Sequence, residues 1–218
     1  MKFNEVLQKA EEIGIQSELI EVWIPEDKFV DAKFSGDSLS ITRQSEPFYG
    51  MAFGSNPIID KRWSAFSCTR KTPKEITAKY KLDGQWDAYG IETRKFDVEY
   101  QILKDHKFID IFLEKHAPQS SIRADDQEVV AWIGIEDLAL GAICKWESGA
   151  HVLSAIAVAE NERGKGLGKE ITKALIDYAY KSGIPYLALG VWAKNEPAIS
   201  TYKSIGFVLL GQFNSFSI

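Results

Sequence analysis

Residues 156–168 read Ile156-Ala-Val-Ala-Glu-Asn-Glu-Arg163-Gly-Lys-Gly-Leu-Gly168, and this stretch decides the fold. An apolar strand runs into a loop with glycines at positions 164, 166 and 168. The apolar residues that follow have the i, i+3, i+4, i+7, i+8 spacing of a core-facing helix: Ile171, Ala174, Leu175, Tyr178 and Ala179. A glycine loop that opens a helix directs several backbone N–H groups at one point, and the helix dipole adds partial positive charge. The sequence therefore predicts a phosphate-binding site, with Arg163 and Lys165 beside it.

The spacing of the glycines narrows the choice of phosphate ligand. The P-loop pattern G-x-x-x-x-G-K-[ST] is absent, and so is the dinucleotide pattern G-x-G-x-x-G, because the glycines here read G-x-G-x-G. The pattern R-x-x-G-x-G does fit, with Arg163, Gly166 and Gly168. A second pattern, N-x-x-A-x-x-x-Y-x-x-x-G-F, follows about 27 residues later and is filled by Asn195, Ala198, Tyr202, Gly206 and Phe207.

These two patterns, in this order and at this separation, resemble the GCN5-related N-acetyltransferase (GNAT) superfamily over roughly residues 125–211. The resemblance implies a GNAT-type acyl-CoA acyltransferase fold of the α/β class, with a mixed sheet, and acetyl-CoA as cosubstrate. The three histidines are scattered and the two cysteines lie far apart, which argues against a metal site. The resemblance implies that the diphosphate contacts come from Arg163, Gly164, Lys165, Gly166, Leu167 and Gly168. It also implies backbone contacts from Ile156, Ala157 and Val158, and a further contact from Asn195, which is also suited to be a helix N-cap.

Acyl transfer from a thioester to an amine needs a neutral amine, donors for the oxyanion and an acid for the departing thiolate. Tyr202 stands at the family's tyrosine position and is the candidate acid; the alternative is a core aromatic residue. The family's base is often a glutamate early on the strand, a position that falls near Ala150 here. His151 is adjacent and titrates near neutral pH, so it is the candidate base. Glu147 and Glu160 are alternatives, and His151 also fits a surface residue at a strand end.

From residue 89 onwards, the order of the predicted elements fits the core of the GNAT fold. After a helix that carries Phe108 and Phe112, the sequence predicts two further helices, at 167–182 and 196–204. It predicts strands at 129–135, 138–146, 151–159, 186–192 and 206–211. His106 and His116 are expected to be solvated.

Residues 1–88 carry no chemical motif and are expected to form an additional N-terminal subdomain before the acetyltransferase domain at 89–218. Within them we expect a helix at 3–13, a strand at 18–24 and a turn at Asp83-Gly84.

Composition excludes several classes of protein. The net charge of −5 argues against a nucleic-acid partner, and no apolar run is long enough to span a membrane. Cys68 and Cys144 lie far apart without a C-x-x-C pattern, and no signal-peptide segment opens the chain, which is typical of a cytoplasmic protein.

Two functions remain open at this point. The first is an acetyl-CoA-dependent N-acetyltransferase that acts on a primary amine of a small molecule or peptide. The second is a non-catalytic acyl-CoA binding or sensing protein on the same fold. The oligomeric state stays open as well, with a homodimer among the options.

Overall fold

The computed structural model describes all residues, 1–218, and the chain forms two compact units. The first unit consists of Met1–Ala88, Gly190–Lys194 and Leu209–Ile218. The second unit consists of Tyr89–Leu189 and Asn195–Val208.

The first unit begins with two helices and continues mainly as strands. Its elements are α1 (Phe3–Glu12), α2 (Ser17–Trp23), β1 (Phe29–Ser35), β2 (Ser38–Arg43), β3 (Tyr49–Phe53), β4 (Ala65–Thr69), α3 (Lys74–Thr77), β5 (Lys81–Glu92) and β11 (Val208–Ser217), the last two ending or starting in the second unit. Strands pair in the order β1-β2-β3-β4-β11, with β3 and β4 parallel and the other neighbours antiparallel.

The core of the first unit is built where the two helices cover apolar strand residues. The apolar side chains of α1 and α2 are buried in one cluster with those of β2 and β3: Phe3, Val6, Leu19, Ile20, Leu39, Ile41, Met51 and Phe53. A second cluster contains Trp63, Phe66, Cys68 and Phe216.

Two expectations for the first unit are wrong. Residues 18–24 are not a strand, because Ser17–Trp23 is a helix that buries Leu19, Ile20 and Val22. A short apolar run does not distinguish a buried helix from a strand by its periodicity. Asp83 and Gly84 do not form a turn but lie inside β5. A Cβ at Gly84 would lie 2.6 Å from the Trp192 ring, so glycine at this position lets that ring pack directly against the backbone of β5.

The second unit contains the segment with the two sequence patterns. Its elements are β6 (Gln101–Leu103), α4 (His106–His116), β7 (Val129–Ile135), β8 (Ala139–Lys145), β9 (His151–Val158), α5 (Leu167–Lys181), β10 (Tyr186–Trp192, which ends in the first unit) and α6 (Glu196–Ile205). The strand order is β10-β9-β8-β7-β6. The pair β10 and β9 is parallel and the other neighbours are antiparallel.

Helix α5 is the element that places the glycine loop. Ile171, Ala174, Leu175 and Ala179 of its predicted stripe are buried, and Tyr178 is half-buried. The helix contacts β7, β8 and β9. Its first turn is thereby held next to the end of β9, where the loop begins.

A buried carboxylate fixes the last turns of the same helix. Asp177 is fully buried and accepts hydrogen bonds from the Phe96 N–H at 2.9 Å and the Tyr100 hydroxyl at 3.2 Å, and it pairs with Lys181. Burial alone would raise the pKa of Asp177, but the hydrogen bonds, with that from Lys181 the strongest, outweigh it and lower the pKa below its usual range. The segment that contains Phe96 and Tyr100 is therefore tied to α5.

The sheet contains both parallel and antiparallel strand pairs, and helices lie between strands along the chain. The chain therefore has a mixed α/β fold with a mixed sheet, as predicted. The assignment of residues 1–88 as a subdomain with a role of its own stays a prediction. Cys68 and Cys144 are both buried free thiols. None of the six helices combines the length and the apolar character that crossing a membrane requires.

Candidate functional site

The glycine loop turns through left-handed backbone before it becomes helix α5. Gly164 has φ 80° and Gly166 has φ 94°, and Gly166 is the N-cap residue of the helix. Side chains disfavour this conformation, which explains glycine at both positions. A Cβ at Gly168 would lie 3.9 Å from a methyl group of Val158, so the first turn of α5 lies beside the last residue of β9.

Five consecutive N–H groups of this loop have no acceptor within the protein. The first backbone bond of the helix is donated by the Lys169 N–H to the Gly166 carbonyl at 2.8 Å, and no N–H group of residues 164–168 donates to the chain. We call residues 164–168 the cradle. Free N–H groups at the start of a fifteen-residue helix, together with its dipole, form an anion site. The cradle therefore fits a diphosphate.

The two basic side chains beside the cradle are engaged within the protein. The Arg163 Nε donates to the Val158 carbonyl at 3.3 Å, and its Nη2 donates to the His116 carbonyl at 2.8 Å. The Lys165 Nζ pairs with the Glu162 carboxylate at 3.1 Å. The guanidinium of Arg163 thus holds the loop against the ends of β9 and α4, and its direct contact with a phosphate stays a prediction.

Strand β9 has an open edge on the side of β10. The two parallel strands pair at a single position, Ala188 with Val152, so the edge of β9 beyond Val152 has no strand partner. An unpaired edge within a sheet is a template for an extended ligand that needs backbone hydrogen bonds.

A β-bulge decides which N–H groups of β9 face this open edge. Ser154 pairs with Ala142 and Ala157 pairs with Leu140, so two residues of β9, Ala155 and Ile156, lie opposite Gly141. Ala155 has φ 51°, which is left-handed and strained for alanine.

The direction of the N–H groups beyond the bulge follows from one backbone hydrogen bond, which is donated by Ala159. The Ala159 N–H donates to the Leu138 carbonyl of the β8 side at 2.8 Å. Neighbouring N–H groups along a strand point to opposite edges, so the Ala157 N–H also points to β8, and those of Ile156 and Val158 point to the open edge.

Tyr202 lies on α6 and is almost fully buried. It is 9% exposed, and its ring packs on Phe207 with centroids 5.5 Å apart. Burial raises the pKa of its hydroxyl to about 12. The hydroxyl therefore carries its proton throughout the physiological range and is able to act as an acid, and Tyr202 is also the core aromatic that the alternative interpretation described.

Asn195 is the N-cap of α6. Its side-chain oxygen accepts a hydrogen bond from the Ala198 N–H at 3.3 Å, and Pro197 lies in the first turn. The helix that carries Tyr202 thus begins directly after Asn195, and it contacts α5. A contact of Asn195 with the cosubstrate stays a prediction.

The capping bond of Asn195 leads to a stability prediction. Asn195→Ala is expected to lower the free energy of unfolding by about 1 kcal/mol, because one donor at the start of α6 loses its acceptor. Asn195→Asp retains a capping oxygen and is the control, expected to unfold within a few tenths of a kcal/mol of the wild type. Thermal or urea unfolding measures both. Equal stability of the wild type and the alanine variant would contradict the capping role.

His151 lies at the opposite end of β9 from the cradle. At about 3.3 Å per residue it is roughly 20 Å from Val158 along the strand. It pairs in register with Lys145 and is half-buried, and burial followed by the charge of Lys145 lowers its pKa. The imidazole is thus neutral and able to accept a proton at neutral pH. Its role as base stays a prediction, as does that of Glu147 or Glu160.

One residue at the site was missed by the sequence interpretation. His116 was expected to be solvated, but it is half-buried at the end of α4, and its Nδ1 accepts a hydrogen bond from the Glu160 N–H at 3.2 Å. The sequence did contain a sign of this burial, because His116 lies four residues after Phe112 and so on the apolar face of α4.

Comparison with known proteins agrees with this geometry. The model of the family described as "Acetyltransferase (GNAT) family" matches residues 86–207, which is more than half of the chain. The chain belongs to the GNAT acetyltransferase family. Acetyl transfer is the chemistry that names this family, and the predicted resemblance is confirmed.

Individual relatives of this GNAT chain match over short segments. The mycothiol acetyltransferase of Renibacterium salmoninarum is 46% identical over 52 residues, which are 24% of this chain and 15% of that protein. The streptothricin acetyltransferase of Streptomyces lavendulae is 39% identical over 56 residues, which are 26% of this chain and 30% of that protein. The chain thus spans less than a third of the length of either relative.

A solved structure extends the likeness to nearly the whole chain. A GCN5-related N-acetyltransferase from Sphaerobacter thermophilus matches with a TM-score of 0.59 and 9% identity, covering 94% of this chain and 87% of that chain. At this identity the likeness shows that the GNAT fold is shared.

Proposed function

We propose that this GNAT chain is an acetyl-CoA-dependent N-acetyltransferase whose acceptor is a primary amine that attacks the thioester directly. The observation that carries the proposal is the juxtaposition of the cradle, with its five free N–H groups, and the open edge of β9 that ends beside it.

The cradle supports the binding of coenzyme A. A diphosphate offers several anionic oxygens within a few ångströms, which matches a run of N–H donors better than a single carboxylate would. Residues 164–168 would hold it through the backbone, so the side chains of Arg163 and Lys165 are free to keep the contacts they make within the loop.

The open edge of β9 supports the binding of the part of acetyl-CoA that carries the acetyl group. The N–H groups of Ile156 and Val158 are available to amide and acyl carbonyl oxygens, and backbone donors fixed in a strand stabilise developing negative charge without reorganisation. Bound acetyl-CoA supplies an acetyl group activated as a thioester. What the chain contributes is the orientation of that group and two hydrogen-bond donors.

Two side chains are proposed to transfer protons during the reaction. Tyr202 Oη, held protonated by burial, supplies a proton to the departing sulfur. His151, held neutral by the lowered pKa, accepts the proton of the attacking amine, directly or through water. The small molecules in the names of the two relatives favour a small-molecule acceptor, and a peptide amine is the alternative.

The second candidate is a non-catalytic protein that binds acyl-CoA. The observation that favours it is that Ala150, where relatives that use a side-chain base often have a glutamate, has no acidic group, and the residue that follows it is His151, at the end of β9 far from the cradle. Both candidates use the cradle in the same way, so they differ only in turnover.

Binding and turnover are tested in two steps. Saturating acetyl-CoA, at about 100 times its Kd, is expected to stabilise the native state by about 2.7 kcal/mol and to raise Tm by roughly 5–10 °C. Release of free thiol from acetyl-CoA is then measured with a panel of polyamines, amino acids, aminoglycosides and peptides. Thiol release with an amine supports the enzyme. A Tm shift without turnover on any amine supports the binding protein, and no Tm shift at millimolar acetyl-CoA contradicts both.

A further inference from the structure

A single residue outside the two sequence patterns holds both ends of the turn that leads to the cradle. This turn, the 3₁₀ segment Glu160–Glu162, joins the end of β9 to the glycine loop. The Glu160 N–H at its start donates to the Nδ1 of His116 at 3.2 Å. The Arg163 Nη2 at its end donates to the carbonyl of the same His116 at 2.8 Å.

His116 is itself held by a well-anchored helix. It is the last residue of α4, which is capped at its start by Asp105 and buries Ile109, Phe112 and Leu113. Its ring packs on Phe112 with centroids 4.6 Å apart. A side chain fixed in this way restricts the turn more than a surface side chain with free rotamers would.

We propose that His116 is a positioning residue for the cradle: its Nδ1 and carbonyl fix the turn so that the N–H groups of residues 164–168 converge before the cosubstrate arrives. The proposal rests on the proposed function, because the cradle is taken as the diphosphate site. Without the anchor, binding of acetyl-CoA would include the entropic cost of ordering the loop. The expected consequence is a weaker affinity for acetyl-CoA at an unchanged rate of the chemical step.

The anchor requires one protonation state of the imidazole. Nδ1 accepts a hydrogen bond only when it carries no proton, so the proton of neutral His116 must lie on Nε2. The charged groups around the ring are Lys115 on its own helix and Glu160 and Arg163 on the turn. Burial, followed by Lys115 and Arg163, lowers the pKa of His116, which keeps Nδ1 available at neutral pH.

Two substitutions separate the hydrogen bond from the packing of the ring. In His116→Asn the side-chain oxygen takes the place of Nδ1, so an acceptor is kept while the ring is lost. In His116→Phe the ring against Phe112 is kept while the acceptor is lost. We expect Kd for acetyl-CoA, measured by calorimetry, to rise about 3- to 10-fold in the phenylalanine variant, the effect of one hydrogen bond. The asparagine variant should stay within about 2-fold, and kcat at saturating acetyl-CoA should be unchanged in both.

Amide hydrogen exchange at Glu160 reports on the contact itself in the free protein. The Glu160 N–H should be protected in the wild type and in His116→Asn and should exchange faster in His116→Phe. Its protection in the wild type should fall as the pH drops through the lowered pKa of His116.

Equal Kd values for the wild type and the phenylalanine variant, or an equal loss in both variants, would overturn the proposal for His116 while the proposed function stands. Absence of acetyl-CoA binding by the wild type would overturn the proposed function and this proposal with it.

Discussion

Tyr202→Phe is expected to lower kcat for acetyl transfer by roughly 10²-fold or more, the usual contribution of a general acid. The substitution removes only the hydroxyl and leaves the ring packed against Phe207. Because the pKa of the hydroxyl is about 12, Tyr202 keeps its proton up to about pH 11, so activity that falls between pH 8 and 10 would need another cause. The affinity for acetyl-CoA and Tm are expected to stay close to those of the wild type.

Tyr180→Phe is the matched control for this prediction, because Tyr180 is 51% exposed on α5 and its hydroxyl has no place in the proposed site. The rates are compared with an acceptor that turns over, under conditions where chemistry limits the rate. If Tyr202 serves only the core, its phenylalanine variant retains activity and differs from the wild type in stability alone. An unchanged kcat would remove Tyr202 from the mechanism.

Gly166→Val is expected to weaken acetyl-CoA binding at least about 100-fold, which corresponds to the loss of two hydrogen bonds to a charged group. Gly166 has φ 94°, and a β-branched residue there must shift the backbone that directs the cradle N–H groups. No atom lies within 4 Å of a Cβ at this position, so the strain acts on the backbone and not through a clash in the core. Calorimetry with acetyl-CoA measures the loss.

Gly183→Val provides an internal control at the other end of the same helix. Gly183 has φ 74°, and a Cβ there also meets nothing within 4 Å. Both substitutions are expected to destabilise the protein by about 1–3 kcal/mol through left-handed strain, but only Gly166→Val should lose acetyl-CoA. Similar affinities in the two variants would mean that the cradle is not the diphosphate site.

The elements around the site could largely be predicted from sequence. The strand predicted at 186–192 has those same limits in the structure, and the predicted α5 ends one residue early, at Lys181. These elements lie between two patterns of fixed spacing, and each has a clear apolar period. By contrast, residues 18–24 lie outside any pattern, and their apolar run fits a helix as well as a strand.

The candidate site was predictable only where a residue type carries the signal. Glycine at 164 and 166 marks left-handed backbone, so the cradle was visible in the sequence. Ala155 has the same kind of backbone without a glycine to mark it, and the bulge was therefore hidden. The role of His116 depends on a contact across 44 positions of the chain, which no local pattern records.

The bulge at Ala155 means that the site depends on a count of residues as much as on their identity. If the same residues paired with β8 without the bulge, Ala155 alone would lie opposite Gly141 and Ile156 opposite Leu140, and the N–H groups of Ile156 and Val158 would then point to β8. The strand would then be more regular, and the Val158 N–H would donate a hydrogen bond to β8 and be unavailable to a ligand. Deletions and insertions between Val152 and Val158 should consequently be tolerated less than substitutions, because they change the pairing of β9 with β8 and the bulge on which the position of these donors depends.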